Sequence, residues 1–442
     1  MKIIKTMDEK MNYKDSSQIQ DYLEFLNQSP TAWHAVDQAI QKLLKAGFSE
    51  LKEEESWQIA PGNKYFVVRN GSSLCAFIVP HQTPISAQAI CSHTDSPSFK
   101  LKPNAEFRKE NMLMLGVEIY GGPLLSSWLN RDLGLAGRVV YTDPNGKMQT
   151  ELIRLDDHPL VIPQLAIHLD RQVNEQGLLL NKQEHLAALA ALDYPTSIPY
   201  LEIRVREKIK HCDRLLGTDL FLFPLESAAL TGFRQQMLAS YRIDNLGSMH
   251  ASLTALLGSQ NTSNDHLKMA VFWDNEEVGS ETAQGAGSPF FSHVLERILL
   301  ALDCGREEYL RLLRRSCSVS VDFAHALHPN YPEKHEPRHQ PLLNKGIVLK
   351  ANAQQRYATD AYSAAIIVKL CQQLNLSLQK FVSRGDIPCG TTIGPIHAGS
   401  TGISTVDIGC PQLSMHSCRE LAGCQDHLDM CLLLKAFLER EA

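Results

Sequence analysis

The chain has 442 residues, 44% hydrophobic and 21% charged, with a formal net charge of −6. That length buries a large core in one large domain with an insertion, or in two to three domains. The small negative charge gives no pull toward nucleic acid or an anionic membrane, and neither is expected as a partner.

No apolar run reaches the roughly 18 residues of a membrane span, and the N-terminus has no signal-peptide core, so a cytoplasmic location is expected. Met7 and Met11 are alternative starts to Met1. Eleven cysteines without a Cys-x-x-Cys spacing fit free thiols in a reducing compartment better than disulfides or a thiolate zinc site.

In chain order, helices are predicted over Ser17 to Asn27 and Thr31 to Leu44, the second with Trp33, Val36, Ile40 and Leu43 on one stripe and Gly47 as its stop. Strands follow over Lys64 to Arg69, Ser73 to Val79 and Ala87 to Cys91. From about Phe99 the pattern turns to short strands, Val117 to Tyr120, Ala136 to Tyr141 and Thr150 to Leu155, broken by Gly121-Gly122-Pro123 and Pro144-Asn145-Gly146. Loops carrying His158, His168 and His185 come next, and a helix-like pattern covers Leu186 to Leu192. Near Phe233 a helix and strand alternation resumes: helix Leu246 to Leu257, strand Met269 to Trp273, helix Ser292 to Asp303, strand Ser316 to Val321, helix Ala361 to Leu374 and strand Thr405 to Ile408. The fold class is α/β, a mostly parallel sheet flanked by helices, with an inserted β-rich domain.

Open α/β sheets bind ligands beyond the carboxyl ends of their strands. Five apolar runs end in polar residues here: His93 and Asp95 after Ala89-Ile90-Cys91, Glu276-Glu277 after Trp273, Asp322 and His325 after Val321, Asp244 after Ile243, and His416 after Met415. Singly, each has a plain explanation: a hydrogen-bonded histidine, an N-cap at Asp244, a solvated turn at Glu276-Glu277. Together, His93, His416, Asp244, Glu277 and Asp322 form the ligand set of two zinc ions, with one Asp bridging. Mn²⁺ or Co²⁺ could occupy the same nitrogen and oxygen donors. Asp95 can accept the free N–H of the His93 imidazole. With Glu277 on metal, Glu276 remains free to take a proton from the attacking water.

Other histidines and glycines point elsewhere. His335 and His339 flank Pro337, so they share no helical face, and Gly390 to Gly402 lacks a nucleotide-binding spacing.

The segments Ser92-His93-Thr94-Asp95-Ser96-Pro97, Asp244-Asn245-Leu246, Glu276-Glu277-Val278-Gly279-Ser280, Asp322-Phe323-Ala324-His325-Ala326, Asn344-Lys345-Gly346 and Pro411-Gln412-Leu413-Ser414-Met415-His416-Ser417 resemble, in order, the motifs of the aspartyl aminopeptidases, cocatalytic dizinc metallopeptidases, and the chain is similar to a bacterial member. The resemblance runs from about Leu23 to Phe437. It implies that His93, Asp244 and Asp322 hold one zinc and Asp244, Glu277 and His416 the other, with Asp95 orienting and Glu276 as base. It further implies a zinc-peptidase catalytic domain at residues 1–99 and 237–442, a β-rich oligomerisation domain at 100–236, and a dodecamer built from dimers. His168 matches a histidine that reaches a neighbouring subunit's active site, although a third histidine ligand to zinc is an alternative for it. Lys350, Tyr357 and His325 match substrate-contacting positions, with Lys350 selecting an N-terminal Asp or Glu. The competing functions are a related dizinc deacylase or carboxypeptidase, or a non-catalytic assembly protein that keeps the fold.

Overall fold

The computed structural model describes residues 13–195, 199–260 and 265–440, and the three methionines considered as starts lie outside them. Helices α1 (Ser17–Gln28) and α2 (Ala32–Lys45) open the fold. The Ser16 side chain caps α1 by accepting the Ile19 N–H, and Trp33, Val36 and Leu43 bury one face of α2. Strands β1 (Ser49–Glu50), β2 (Lys64–Arg69), β3 (Ser73–Ile78) and β4 (Ser86–His93) follow. Next come β5 (Ser98–Lys109), β6 (Met112–Tyr120), β7 (Leu133–Thr142), β8 (Met148–Leu160), α3 (Val173–Gln176), β9 (Ala188–Leu192), α4 (Tyr200–Lys208) and β10 (Arg214–Pro224). The chain continues through β11 (Ala229–Thr231), β12 (Met237–Ser240), α5 (Ile243–Gly258), β13 (His266–Trp273), α6 (Phe290–Ala301), α7 (Arg306–Arg315), β14 (Cys317–Val321), β15 (Ala324–His325) and β16 (Ile347–Lys350). It closes with α8 (Ala361–Leu374), β17 (Leu378–Phe381), α9 (Ile393–Thr401), β18 (Ser404–Gly409), β19 (Pro411–Leu413), β20 (Glu420–Gly423) and α10 (Cys424–Glu439).

The main sheet has nine strands in the order β1-β2-β3-β13-β4-β14-β18-β16-β17. Its centre, β13, β4, β14 and β18, is parallel, while β3 and β16 run antiparallel to their inner neighbours. Every residue of β4, β13 and β14 is buried, because alternate side chains enter two different layers. Ile90, Phe272 and Val319 join the core shared with α1, α2, α5 and α10. Cys91, Met269 and Trp273 pack with α6 and α7 on the other face. That double cover explains why these strands read as continuous apolar runs.

A second sheet, β8-β7-β10-β5-β6-β9, is built from the segment between Ser98 and Pro224. It has its own core, in which Phe99 and Trp128 meet with ring centroids 4.9 Å apart. The helix predicted from Leu186 to Leu192 is not present: residues 188–192 form β9, antiparallel to β6. The three-residue spacing of the leucines mimics a helix stripe, but the open edge of β6 takes the segment as a strand. A third sheet, β11-β12-β20-β19-β15, carries the turn that contains His416. No described helix is long and apolar enough to cross a membrane.

Candidate active site

Strand register builds the site. His93 closes β4 directly opposite Trp273, the last residue of β13, and Asp322 follows the last residue of β14, so three neighbouring strand ends deliver side chains to one rim. After Trp273 the chain enters a short 3₁₀ turn, Glu276–Val278, through Asn275 in the left-handed region at φ 63°. Asp244 does not act as an N-cap. It lies in the first turn of α5 with non-helical angles, after Arg242 in the cap position, and its peptide bond to Asn245 is cis. His416 comes from the turn between β19 and β20, not from the rim of the main sheet.

These elements bring all five expected ligands together. His93 Nε2 lies 3.6 Å from Asp244 Oδ1, 3.8 Å from Asp322 Oδ1 and 4.0 Å from Glu276 Oε2. His416 Nε2 lies 3.4 Å from Asp244 Oδ2 and 3.4 Å from Glu277 Oε1. Asp244 therefore turns one carboxylate oxygen to each imidazole, the arrangement a bridging ligand needs. Among the described residues, two groups have donor atoms close enough to share an ion: His93, Asp244 and Glu277, and His93, Glu276 and Asp322. Glu276 is thus near enough to be a ligand as well as a base. Asp95 sits under His93, its carboxylate 3.3 Å and its carbonyl oxygen 3.1 Å from Nδ1. The same carboxylate accepts the Glu276 and Glu277 N–H groups, each at 3.1 Å.

Burial and crowding set the charge states. Burial pushes the Glu276 carboxyl up to about 8 and Glu277 well above the usual range, with neighbouring carboxylates adding to both, and it raises Asp244. Burial opposes charge on the histidines, yet hydrogen bonds to Asp322 and Asp95 raise His93 well above its ordinary value, and Asp244 and Glu277 raise His416 to about 10. Asp322 moves down: burial opposes this, but Lys350 and His93 outweigh it. The cluster holds more buried carboxylate than cation, and Asp244 Oδ1 has no hydrogen-bond partner. A buried anion left so costs several kcal/mol. Divalent ions on imidazole and carboxylate donors relieve that cost, and the donor set fits zinc.

The substrate-contacting candidates divide. The Lys350 side chain is fully buried, with Nζ 3.4 Å from Asp322 Oδ2, donating to the Phe323 carbonyl at 3.1 Å, and 5.1 Å from the centre of the Tyr357 ring. Its charge already has a partner. His325 and Tyr357 line a 290 Å³ cavity beside the cluster, together with Lys334, His335 and Arg384. His168 is exposed in the loop after β8 and belongs to neither metal-capable group. Within one chain it is not brought to the cluster.

The family description "Aminopeptidase I zinc metalloprotease (M18)" matches residues 25–438. The chain belongs to the M18 family of zinc aminopeptidases. It is 41% identical to a "Probable M18 family aminopeptidase 2" of Pseudomonas aeruginosa (strain UCBPP-PA14) over 95% of this chain and 97% of that protein. It superposes on a structure of the Ape4 and Nbr1 complex with a TM-score of 0.92 and 36% identity, covering 98% of this chain and 87% of that one. The S. cerevisiae mApe1 dodecamer gives a TM-score of 0.83 at 28% identity, covering 97% and 98%.

Three residues of this M18 site went unread in the sequence. Glu420, itself buried, accepts the backbone N–H of His416 at 2.7 Å and of Asp244 at 2.9 Å, and so ties two ligand segments together. Arg242, also buried, donates to the Thr94 carbonyl. The Tyr120 hydroxyl donates to Asp95 at 2.7 Å. A glutamate opening a short apolar strand four residues after His416 was the available signal for the first. Nothing local marks the other two.

Proposed function

We propose that this M18 aminopeptidase removes N-terminal Asp or Glu from peptides, using two zinc ions per subunit and Glu276 as general base. The observation that carries the reading is Asp244, whose two carboxylate oxygens face His93 and His416 separately. His93, Asp244 and Asp322 would hold one ion and Asp244, Glu277 and His416 the other; Mn²⁺ or Co²⁺ suits the same donors. Zinc, when bound, supplies an acidified water and polarises the scissile carbonyl. Glu276, anchored through its N–H to Asp95, would take a proton from the attacking water as the water oxygen adds to the scissile carbonyl carbon, and would return it to the amine nitrogen as the C–N bond breaks. Asp95 keeps the His93 tautomer that leaves Nε2 free for metal.

Acidic selectivity is assigned to Lys350 with Tyr357 and His325. Lys350 shares Asp322 with the metal-ligand cluster, so with that carboxylate engaged by metal its ammonium would be available to a substrate carboxylate entering beside Tyr357. Residues 1–99 and 237–442 are read as the catalytic domain and 100–236 as the β-rich insert that makes subunit contacts. Support for the insert's role comes from the exposed apolar side chains of Leu165, Ile167, Leu169 and Leu179 around His168, and from the dodecamer of the related mApe1. On this reading the chain forms a dodecamer built from dimers, and His168 grips substrate in a neighbouring subunit. The eleven free cysteines, ten of them buried, fit a cytoplasmic protein.

The test is an activity screen over aminoacyl substrates with and without a chelator. Chelator-sensitive release of Asp or Glu ahead of Leu supports the reading. A preference for Leu removes the role of Lys350, and activity indifferent to chelator removes the metals.

A further inference from the structure

The Gly121-Gly122-Pro123 break after β6 reads as a simple turn, yet it leads straight into the metal-ligand cluster. Tyr120, the last residue of β6, donates its hydroxyl to Asp95 Oδ2 at 2.7 Å and accepts the Asn275 amide N–H at 2.9 Å. Its ring is held edge-on by Phe221 of β10, with centroids 5.5 Å apart. Gly121 follows at φ +66°, and a Cβ there would meet the Glu277 Cβ at 3.0 Å and its Oε2 at 3.4 Å. Only a glycine takes that conformation this close to the carboxylate without strain. The Gly122 carbonyl lies 3.1 Å from His416 Nδ1 and accepts its N–H, which fixes the ring so that Nε2 faces Asp244 and Glu277 and would be the atom offered to a metal. The Leu124 N–H donates to the His416 carbonyl at 2.8 Å.

One five-residue segment leaving β6 therefore contacts Asp95 behind His93, lies against Glu277 and bonds His416 directly. Asp95 passes the contact on, since its carboxylate receives the N–H groups of both Glu276 and Glu277. We propose that residues 120–124 are a positioning strap through which the β-rich sheet fixes the geometry of both halves of the metal centre. The proposal rests on the two-ion reading above. Tyr120 and Gly121 are positioning residues: they act through Asp95, Glu277 and His416, not on substrate.

Tyr120→Phe removes the hydroxyl and keeps the ring on Phe221; Gly121→Ala places a methyl group against Glu277. Full-length wild type and variants, stripped of metal, are titrated with zinc against a chromogenic chelator. Melting temperature is recorded, with kcat and KM on an aminoacyl substrate. Outer partners of metal ligands are worth about 10- to 100-fold in affinity or activity. The strap predicts zinc binding weakened by that factor in both variants, a lower kcat at unchanged KM, and a metal-free Tyr120→Phe melting temperature near wild type. Zinc affinity and kcat within about twofold of wild type in Tyr120→Phe overturn it, as does a loss that merely follows a lowered melting temperature. If Gly121→Ala does not fold, Tyr120→Phe decides alone. If the wild type cleaves no aminoacyl substrate, the proposed activity fails, and the zinc titration still decides the strap.

Discussion

Removing the metal should make stability depend on pH in a direction the site dictates. In the metal-free protein the Glu276 carboxyl is raised from 4.5 to about 8, so its folded form holds a proton that the unfolded form has already lost. Such a group stabilises the fold fully below its unfolded value, and the contribution disappears as pH rises through the folded value. Between about pH 7 and pH 9 Glu276 alone loses on the order of 1 kcal/mol. Glu277, Asp244, His93 and His416 are all raised and act with the same sign. These groups share one cluster and one set of protons, so their contributions reinforce Glu276 without adding as separate shifts. The buried histidines His34 and His397, lowered to about 4, finish titrating by their unfolded value of 6.5 and stay silent in this window. Thermal melting with and without a chelator is the assay. The metal-free protein should melt several degrees lower at pH 9 than at pH 7, at roughly 2 °C per kcal/mol, while the zinc-loaded protein changes less. A metal-free melting temperature that stays level or rises over this range would refute the charge assignment.

Three variants address separate parts of the account. Glu276→Gln should lower kcat by about 10²- to 10⁴-fold while zinc per chain, read by elemental analysis, stays at the wild-type value; equal loss of zinc would make Glu276 a ligand. Lys350→Met should cut the preference for Asp over Leu in kcat/KM by about 100-fold, and a wild-type ratio would move the acidic selectivity elsewhere. His168→Ala should lower kcat by about 10-fold or more with unchanged particle size in light scattering, whereas a smaller particle would make the residue an assembly contact.

Much of this architecture was legible because its physics is local. The central strands are buried on both faces, so Ala87 to Cys91 and Met269 to Trp273 advertise themselves as apolar runs, and the polar residues that end them fall at the rim where sheet register collects them. The clustering of His93, Asp244, Glu277, Asp322 and His416 was legible because five side chains of types compatible with zinc stand at the ends of apolar runs in motif order. What was hidden depends on contacts between distant segments. Residues 188–192 become a strand only because β6 offers an edge. Asp244 looks like a helix cap until the fold places His93 and His416 on either side of it. Tyr120 lies 25 residues from Asp95, and Glu420, although only four residues from His416, lies 176 from Asp244; no periodicity spans the longer gaps. Lys350 was identified by position, but its pairing with Asp322 could not be read from the intervening 27 residues.

The central claim is that Asp244 bridges two ions held on separate histidines. Anomalous diffraction at the zinc edge from crystals of the zinc-loaded protein measures this directly. The account predicts two peaks per chain, one coordinated by His93 and the other by His416, with Asp244 touching both; a single peak, or both imidazoles on one ion, would contradict it.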